Sequence, residues 1–167
     1  MRTLVYGLLI IVLTVIQATF SNLFGAYTSG LNLPLIFAFC LSMVKNERSG
    51  FTAGFISGFL QDALFGTFIG MNTIATSVSA YIVGLSSKNL YKGRAVITMM
   101  LVFIGSVIFK FIFVVIALFT GQLTSSPQYI MSAVVLPPFA NMIISPLIYL
   151  LTYRIEDFFD FYFNLKY

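Results

Sequence analysis

Six apolar stretches, at about 4–22, 30–44, 50–65, 71–87, 95–119 and 129–152, take up almost all of this 167-residue chain. Stretches of this character read as membrane-crossing helices, each needing about 20 predominantly apolar residues for a hydrocarbon layer about 30 Å thick. The second to fourth are short for that task and would need flanking residues, tilt or local thinning of the bilayer. Charged residues are only 8% of the chain and apolar ones 59%, whereas about a quarter of an ordinary soluble domain is charged. The expectation is an all-α membrane protein: a single integral domain over 1–167, built as a six-helix transmembrane bundle, with no room for a soluble domain.

Charge placement tests the helix count independently, because cytoplasmic loops of membrane proteins hold the excess of Lys and Arg. Arg2 precedes the first stretch, Lys45 and Arg48 follow the second, Lys88, Lys92 and Arg94 follow the fourth, and Arg154 and Lys166 follow the sixth. Eight of the nine basic residues therefore fall on one side of a six-span arrangement, and the three opposite connections carry none. An odd count would scatter them over both faces, so both termini are expected inside. The opening stretch after Arg2 resembles a secretory signal, but its length and the missing A-x-A site favour an uncleaved anchor. With no tryptophan in the chain, Tyr27, Tyr91, Tyr129 and Tyr153 are the candidates for an interfacial belt. The segment 153–167 mixes aromatics with Glu156, Asp157 and Asp160 and reads as a cytoplasmic or interfacial tail.

Chemistry is constrained as strongly. There is no histidine and Cys40 is the only cysteine, so an intrachain disulfide, a zinc site and His-based nucleophile systems are excluded. No catalytic residue, metal or cofactor is expected, and the scattered basic residues give no footprint for nucleic acid. The chain reads as a non-enzyme.

Gly50, Gly54, Gly58, Asp62, Gly66 and Gly70 recur at every fourth position. On a helix such a series makes an inclined groove into which a second helix can come close, either within the bundle or from a partner. Asp62 is the sole acid away from the basic connections and Lys110 the sole base inside a stretch. Each costs roughly 2.5 to 3.5 kcal/mol at a bilayer centre, so neither should face lipid. Their depths from the basic side, counted at about 1.5 Å per residue, bring them to similar levels. An ion pair, or a polar network shared with Asn72 and Gln61, is the expected arrangement; a proton relay has less support with one acid and no histidine. Pro34, Pro137, Pro138 and Pro146, with Asn141 nearby, are expected to kink and shape the packing.

The order Gly54, Gly58, Asp62, Gly66, Gly70 and Asn72 resembles a motif of the MreD family of rod shape-determining proteins. Pro34 at the second stretch, the basic turn from Lys45 to Arg48, and Asn141 with Pro146 in the last stretch fit the same pattern. Leu35 departs from it, standing where the family often has an acid after the proline. The resemblance implies a multi-pass protein of the bacterial inner membrane that binds MreC. It implies a place in the cell-elongation machinery with the MreB filament, the glycosyltransferase RodA and a class B penicillin-binding protein. It also implies a fold similar to the substrate-binding subunits of energy-coupling-factor vitamin transporters, which supply the alternative function.

Overall fold

Six helices follow one another in a computed structural model that describes residues 2–24, 30–66, 68–88, 95–121 and 127–164. Side chains are described for 3–19, 30–66, 68–88, 95–121 and 137–161. The helices are α1 (Arg2–Phe24), α2 (Leu33–Val44), α3 (Glu47–Phe65), α4 (Met71–Ser87), α5 (Ala95–Phe119) and α6 (Pro127–Asn164), and no strand occurs among the described residues.

The starts of α2 and α3 follow from local chemistry. Asn32 caps α2 by accepting from the Leu35 amide at 3.0 Å, and Pro34 falls in the first turn, where its missing N–H costs nothing. Asn46 caps α3 in the same way through the Ser49 amide at 2.8 Å. Gly70 occupies the cap position of α4 in a left-handed conformation, φ 112°, and offers no side chain to the helix that follows.

The short helix α2 forms the axis of the bundle and touches all five others. Every residue from Leu33 to Met43 is buried, with Phe37, Phe39, Leu35, Ile36 and Leu41 at its centre. Where α2, α3 and α4 meet, Ser42 donates to the Ala80 carbonyl at 2.7 Å and stands between Gly50 and Gly84, neither of which leaves room for a Cβ. Gly105 of α5 makes a similar gap for Val83 and Phe39, and Gly30 makes one for Pro137.

The outside of the bundle is the reverse of a soluble surface. Leu4, Leu8, Ile11 and Val15 form an exposed stripe on α1, Phe51, Phe55 and Phe59 on α3, and Ile74, Val78, Tyr81 and Leu85 on α4. Val96, Met100, Ile104, Val107 and Phe111 continue it on α5, and Phe139, Ile143, Leu147 and Leu150 on α6. Meanwhile Ser57, Gln61, Asp62, Thr76, Ser106 and Asn141 are buried. Apart from the enclosed α2, each helix turns a row of large apolar residues outward.

Two expectations change in detail. Among the described residues only Ala95–Phe119 is both long and apolar enough to cross a membrane by length and composition; the apolar helices Thr3–Thr19 and Leu33–Val44 are shorter. The 12 residues of α2 rise only about 18 Å at about 1.5 Å each. Enclosed on all sides, α2 has no lipid-facing length to match. The sixth helix continues past the expected end of its membrane span near residue 152 into the tail, as far as Asn164, and contains Pro137, Pro138 and Pro146. Thr152 and Glu156 prolong its buried face by one further turn.

Basic residues gather at one end. The Tyr6 hydroxyl donates to Glu156 there, Lys45 Nζ lies 3.4 Å from the same hydroxyl, and Lys88 Nζ pairs with Glu47 Oε1 at 2.7 Å. The Arg2 side chain, Lys92, Arg94 and Lys166 lie outside the described residues, as do Tyr27, Tyr91 and the Tyr129 side chain. The hydrogen bond from Lys88 holds the Glu47 carboxyl below the usual carboxylate range. Since the folded value is the lowered one, the contribution of this pair is present above the ordinary carboxylate range and lost as pH falls through the depressed value. Lys88→Met is expected to raise the Glu47 titration towards the ordinary range, read from its carboxyl carbon shift in NMR. An unchanged titration would rule out the pair as the cause.

Candidate functional site

The glycine series turns inward, onto α4. A Cβ on Gly58 would lie 2.5 Å from Thr73 Cα and 2.6 Å from the Asn72 carbonyl oxygen, and one on Gly54 would lie 2.9 Å from Ser77 Cα. Backbone meets backbone at these points, and the face that receives the glycines is built of small residues: Thr73, Ser77, Ala80 and Gly84. Gly50 continues the ridge against Ser42 of α2. Gly66 ends α3, its amide bonded to the Asp62 carbonyl at 3.0 Å, and Gly70 turns the chain into α4.

Close approach of α3 and α4 puts the Asp62 carboxylate on the uncapped start of α4. Oδ2 accepts from the Gly70 amide at 2.8 Å, the Thr73 amide at 2.9 Å and the Thr73 hydroxyl at 2.6 Å. Oδ1 accepts from the Asn72 amide and from Asn72 Nδ2, both at 3.0 Å. A carboxylate one helix back thus supplies the cap that Gly70 lacks, with a charge suited to the positive end of the helix dipole. This arrangement accounts for the glycines, the acid and the asparagine of the motif together. Its chemistry is that of a rigid hairpin.

A second polar centre surrounds the start of α2. The Asn32 amide donates to Asn141 Oδ1 at 3.0 Å, while the Asn32 and Gln61 side chains exchange bonds of 3.0 and 3.1 Å. Gln17 Oε1 accepts from the Leu33 amide at 3.1 Å, and Asn141 Nδ2 donates to Ser106 at 3.1 Å. These bonds tie α1, α3, α5 and α6 to the α2 cap. They border a cavity of about 170 Å³ that Lys110 and Asn72 also line.

Asp62 and Asn72 are therefore joined, and Gln61 belongs to the neighbouring network. Lys110 reaches the cavity, but among the described residues it makes no ion pair with Asp62; its ammonium lies 5.9 and 6.0 Å from the ring centroids of Phe109 and Phe113. Asp62 has five closer donors and no oxygen left over. Pro137 and Asn141 line the cavity, and Pro138 is buried next to them. Pro146 is half-buried one turn after Asn141, and Pro34 lies in the α2 start.

Gln17, Thr73, Ser106, Gly30, Gly84 and Gly105 were not singled out from the sequence. For Thr73 and Gly84 a signal exists, since 73, 77, 80 and 84 place small residues at helical spacing opposite the glycine series. Gln17 and Ser106 are single neutral polar residues within long apolar helices, with no pattern around them.

Small and polar residues at the helix contacts, with large apolar ones outside, define a class: the helical membrane protein. More specifically, the model for the rod shape-determining protein MreD matches residues 1–155, and the chain belongs to the MreD family. Neither a curated protein nor a solved structure matches it. The family consists of non-catalytic membrane proteins with a role in rod shape determination.

Proposed function

We propose that this chain is a multi-pass scaffold of the bacterial inner membrane that binds MreC and helps organise peptidoglycan synthesis during cell elongation. The observation that carries the reading is the family match over residues 1–155. MreB, RodA and a class B penicillin-binding protein are its further partners within one complex. The apolar outer stripes support burial in lipid, because soluble monomers rarely expose contiguous apolar patches beyond a few hundred Å². The basic residues gathered at the Tyr6–Glu156 end support placing that end, with both termini, in the cytoplasm.

The geometry bears on where a partner docks. Gly54 and Gly58 are filled by α4, so the glycine groove is spent inside the bundle. A partner helix is left with the outer faces and with the notch of about 380 Å³ between Lys45, Tyr153, Asp157 and Asp160 at the basic end.

Affinity purification of the tagged protein from native membranes tests the proposal, with MreC expected among the co-eluting proteins. Its absence under conditions that keep other membrane complexes intact would count against the scaffold. The alternative, a vitamin-binding transporter subunit, gains a polar cavity from the structure. At about 170 Å³, that cavity is smaller than the roughly 300–1,000 Å³ usual for drug-sized ligands. The scaffold is favoured on that ground, and thermal stabilisation by a vitamin would reverse the preference.

A further inference from the structure

The cavity at the start of α2 holds a cation and a surplus of hydrogen-bond donors. Four of the amide oxygens on its wall are committed: Asn141 Oδ1 to the Asn32 amide, Gln17 Oε1 to the Leu33 amide, Gln61 Oε1 to Asn32 Nδ2, and Asn32 Oδ1 to Gln61 Nε2 and the Leu35 amide. Among the described residues, Asn72 is the one whose wall amide oxygen has no bond of this kind. The donors are not used up. Among the described residues Gln17 Nε2 donates to no group and Ser106 accepts from Asn141 without donating its own proton, while Lys110 offers three N–H bonds.

The charge of Lys110 is likewise unanswered. Among the described residues no carboxylate pairs with it, and its nearest polarisable neighbours are the rings of Phe109 and Phe113. Asp62, the acid of this half of the bundle, is spent on five donors at the start of α4. A lysine within an apolar helix normally pairs or serves a polar pathway, because an unpaired ammonium loses much of its hydration there. Here the lysine faces neutral amides whose oxygens are mostly taken. A group that brings its own negative oxygens would satisfy Lys110, Gln17 and Ser106 at once.

We propose that this cavity binds a small oxyanion, a phosphate group either free or on a lipid headgroup, with Lys110 as its counter-charge and Gln17 and Ser106 as neutral donors. The volume of about 170 Å³ is that of several waters at about 30 Å³ each, enough for a phosphate group and too little for a large organic body.

Thermal unfolding of the whole protein tests this. Cys40 is buried and is the only cysteine, so a thiol-reactive fluorophore reports its release. One arm titrates inorganic phosphate into protein in neutral detergent, against chloride at matched ionic strength. The other compares bilayer nanodiscs of phosphatidylglycerol with nanodiscs of phosphatidylcholine. The expected result is an upward shift of several degrees in one arm, lost in Lys110→Met, retained in Lys110→Arg and unaffected by Lys88→Met at the opposite end. A shift with phosphate identifies a free anion, and a shift with phosphatidylglycerol alone identifies a lipid headgroup. No shift of the wild-type protein in either arm overturns the proposal, as does an equal shift in Lys110→Met. Should Lys110→Met fail to fold, Gln17→Leu replaces it, with a weakened shift expected and an unweakened one counting against the site.

Discussion

Alanine at Gly58 is expected to destabilise the protein by about 2 kcal/mol or more, even though alanine is the better helix former. The gain in helix propensity is at most about 1 kcal/mol. Against it stands a Cβ placed 2.5 Å from Thr73 Cα and 2.6 Å from the Asn72 carbonyl oxygen. Both are backbone atoms of the facing helix and cannot rotate away, so α3 and α4 must separate along their shared length. Overpacking of this kind costs roughly 1–3 kcal/mol even where side chains can give way. In lipid the loss is felt in full, since close packing rather than the hydrophobic effect holds helices together. Gly54→Ala should follow in the same direction with a smaller effect, its nearest contacts being 2.9 Å. Gly7 provides the control: it lies within α1 and a Cβ there meets nothing within 4 Å, so Gly7→Ala should be neutral or stabilising. Unfolding followed by Cys40 labelling ranks the three. Equal effects at Gly7 and Gly58 would mean that general helix behaviour, and not the α3–α4 contact, decides the outcome.

That contact also shows what was legible in the residues and what was not. Helix number could be read because outward stripes such as Leu4, Leu8, Ile11 and Val15 stay apolar regardless of how the bundle packs. The glycine series could be read because a ridge at every fourth position has few other uses in a helix. Helix lengths were less accessible. The polar residues Arg154, Glu156 and Asp157 mark the end of an apolar span and leave the conformation of the tail open, whereas Thr152 and Glu156, four apart on its buried face, carry the helix onward. Asp62 stood out as an isolated acid, but counting depth along helices drew it towards Lys110. The partners it has are eight to eleven residues ahead in the same hairpin. Depth alone cannot reveal them, because they depend on how the 66–70 turn folds back. A helix start with Gly70 in place of a capping side chain was the available clue. The cavity was legible only in part: Gln61, Asn72 and Lys110 stand out as polar residues, but Gln17, Gln61, Ser106 and Asn141 come from four helices and Asn32 from the α2 cap, and no local pattern connects them.

Asp62→Ala is expected to be the most damaging single truncation in the α3–α4 hairpin, at about 3 kcal/mol or more. The carboxylate accepts five hydrogen bonds, three from the backbone amides of Gly70, Asn72 and Thr73 and two from side chains. Thr73 is buried, so its amide and hydroxyl have no water to turn to, and an orphaned buried donor costs about 1–3 kcal/mol. Gly70 and Asn72 are only half-buried and should recover part of their loss from solvent. Loss of the favourable charge at the α4 start adds a further fraction of a kcal/mol. Asp62→Asn should cost less: one oxygen still accepts, while the new amide group points donors at the amides it replaced acceptors for. This account is separable from an ion pair with Lys110. If the two residues paired, Asp62→Asn combined with Lys110→Met would be milder than the sum of the single changes. With the carboxylate occupied by the start of α4, the double variant should lose about the sum, within roughly 0.5 kcal/mol. A clearly milder double variant would move Asp62 from the capping of α4 to the charge balance of the cavity.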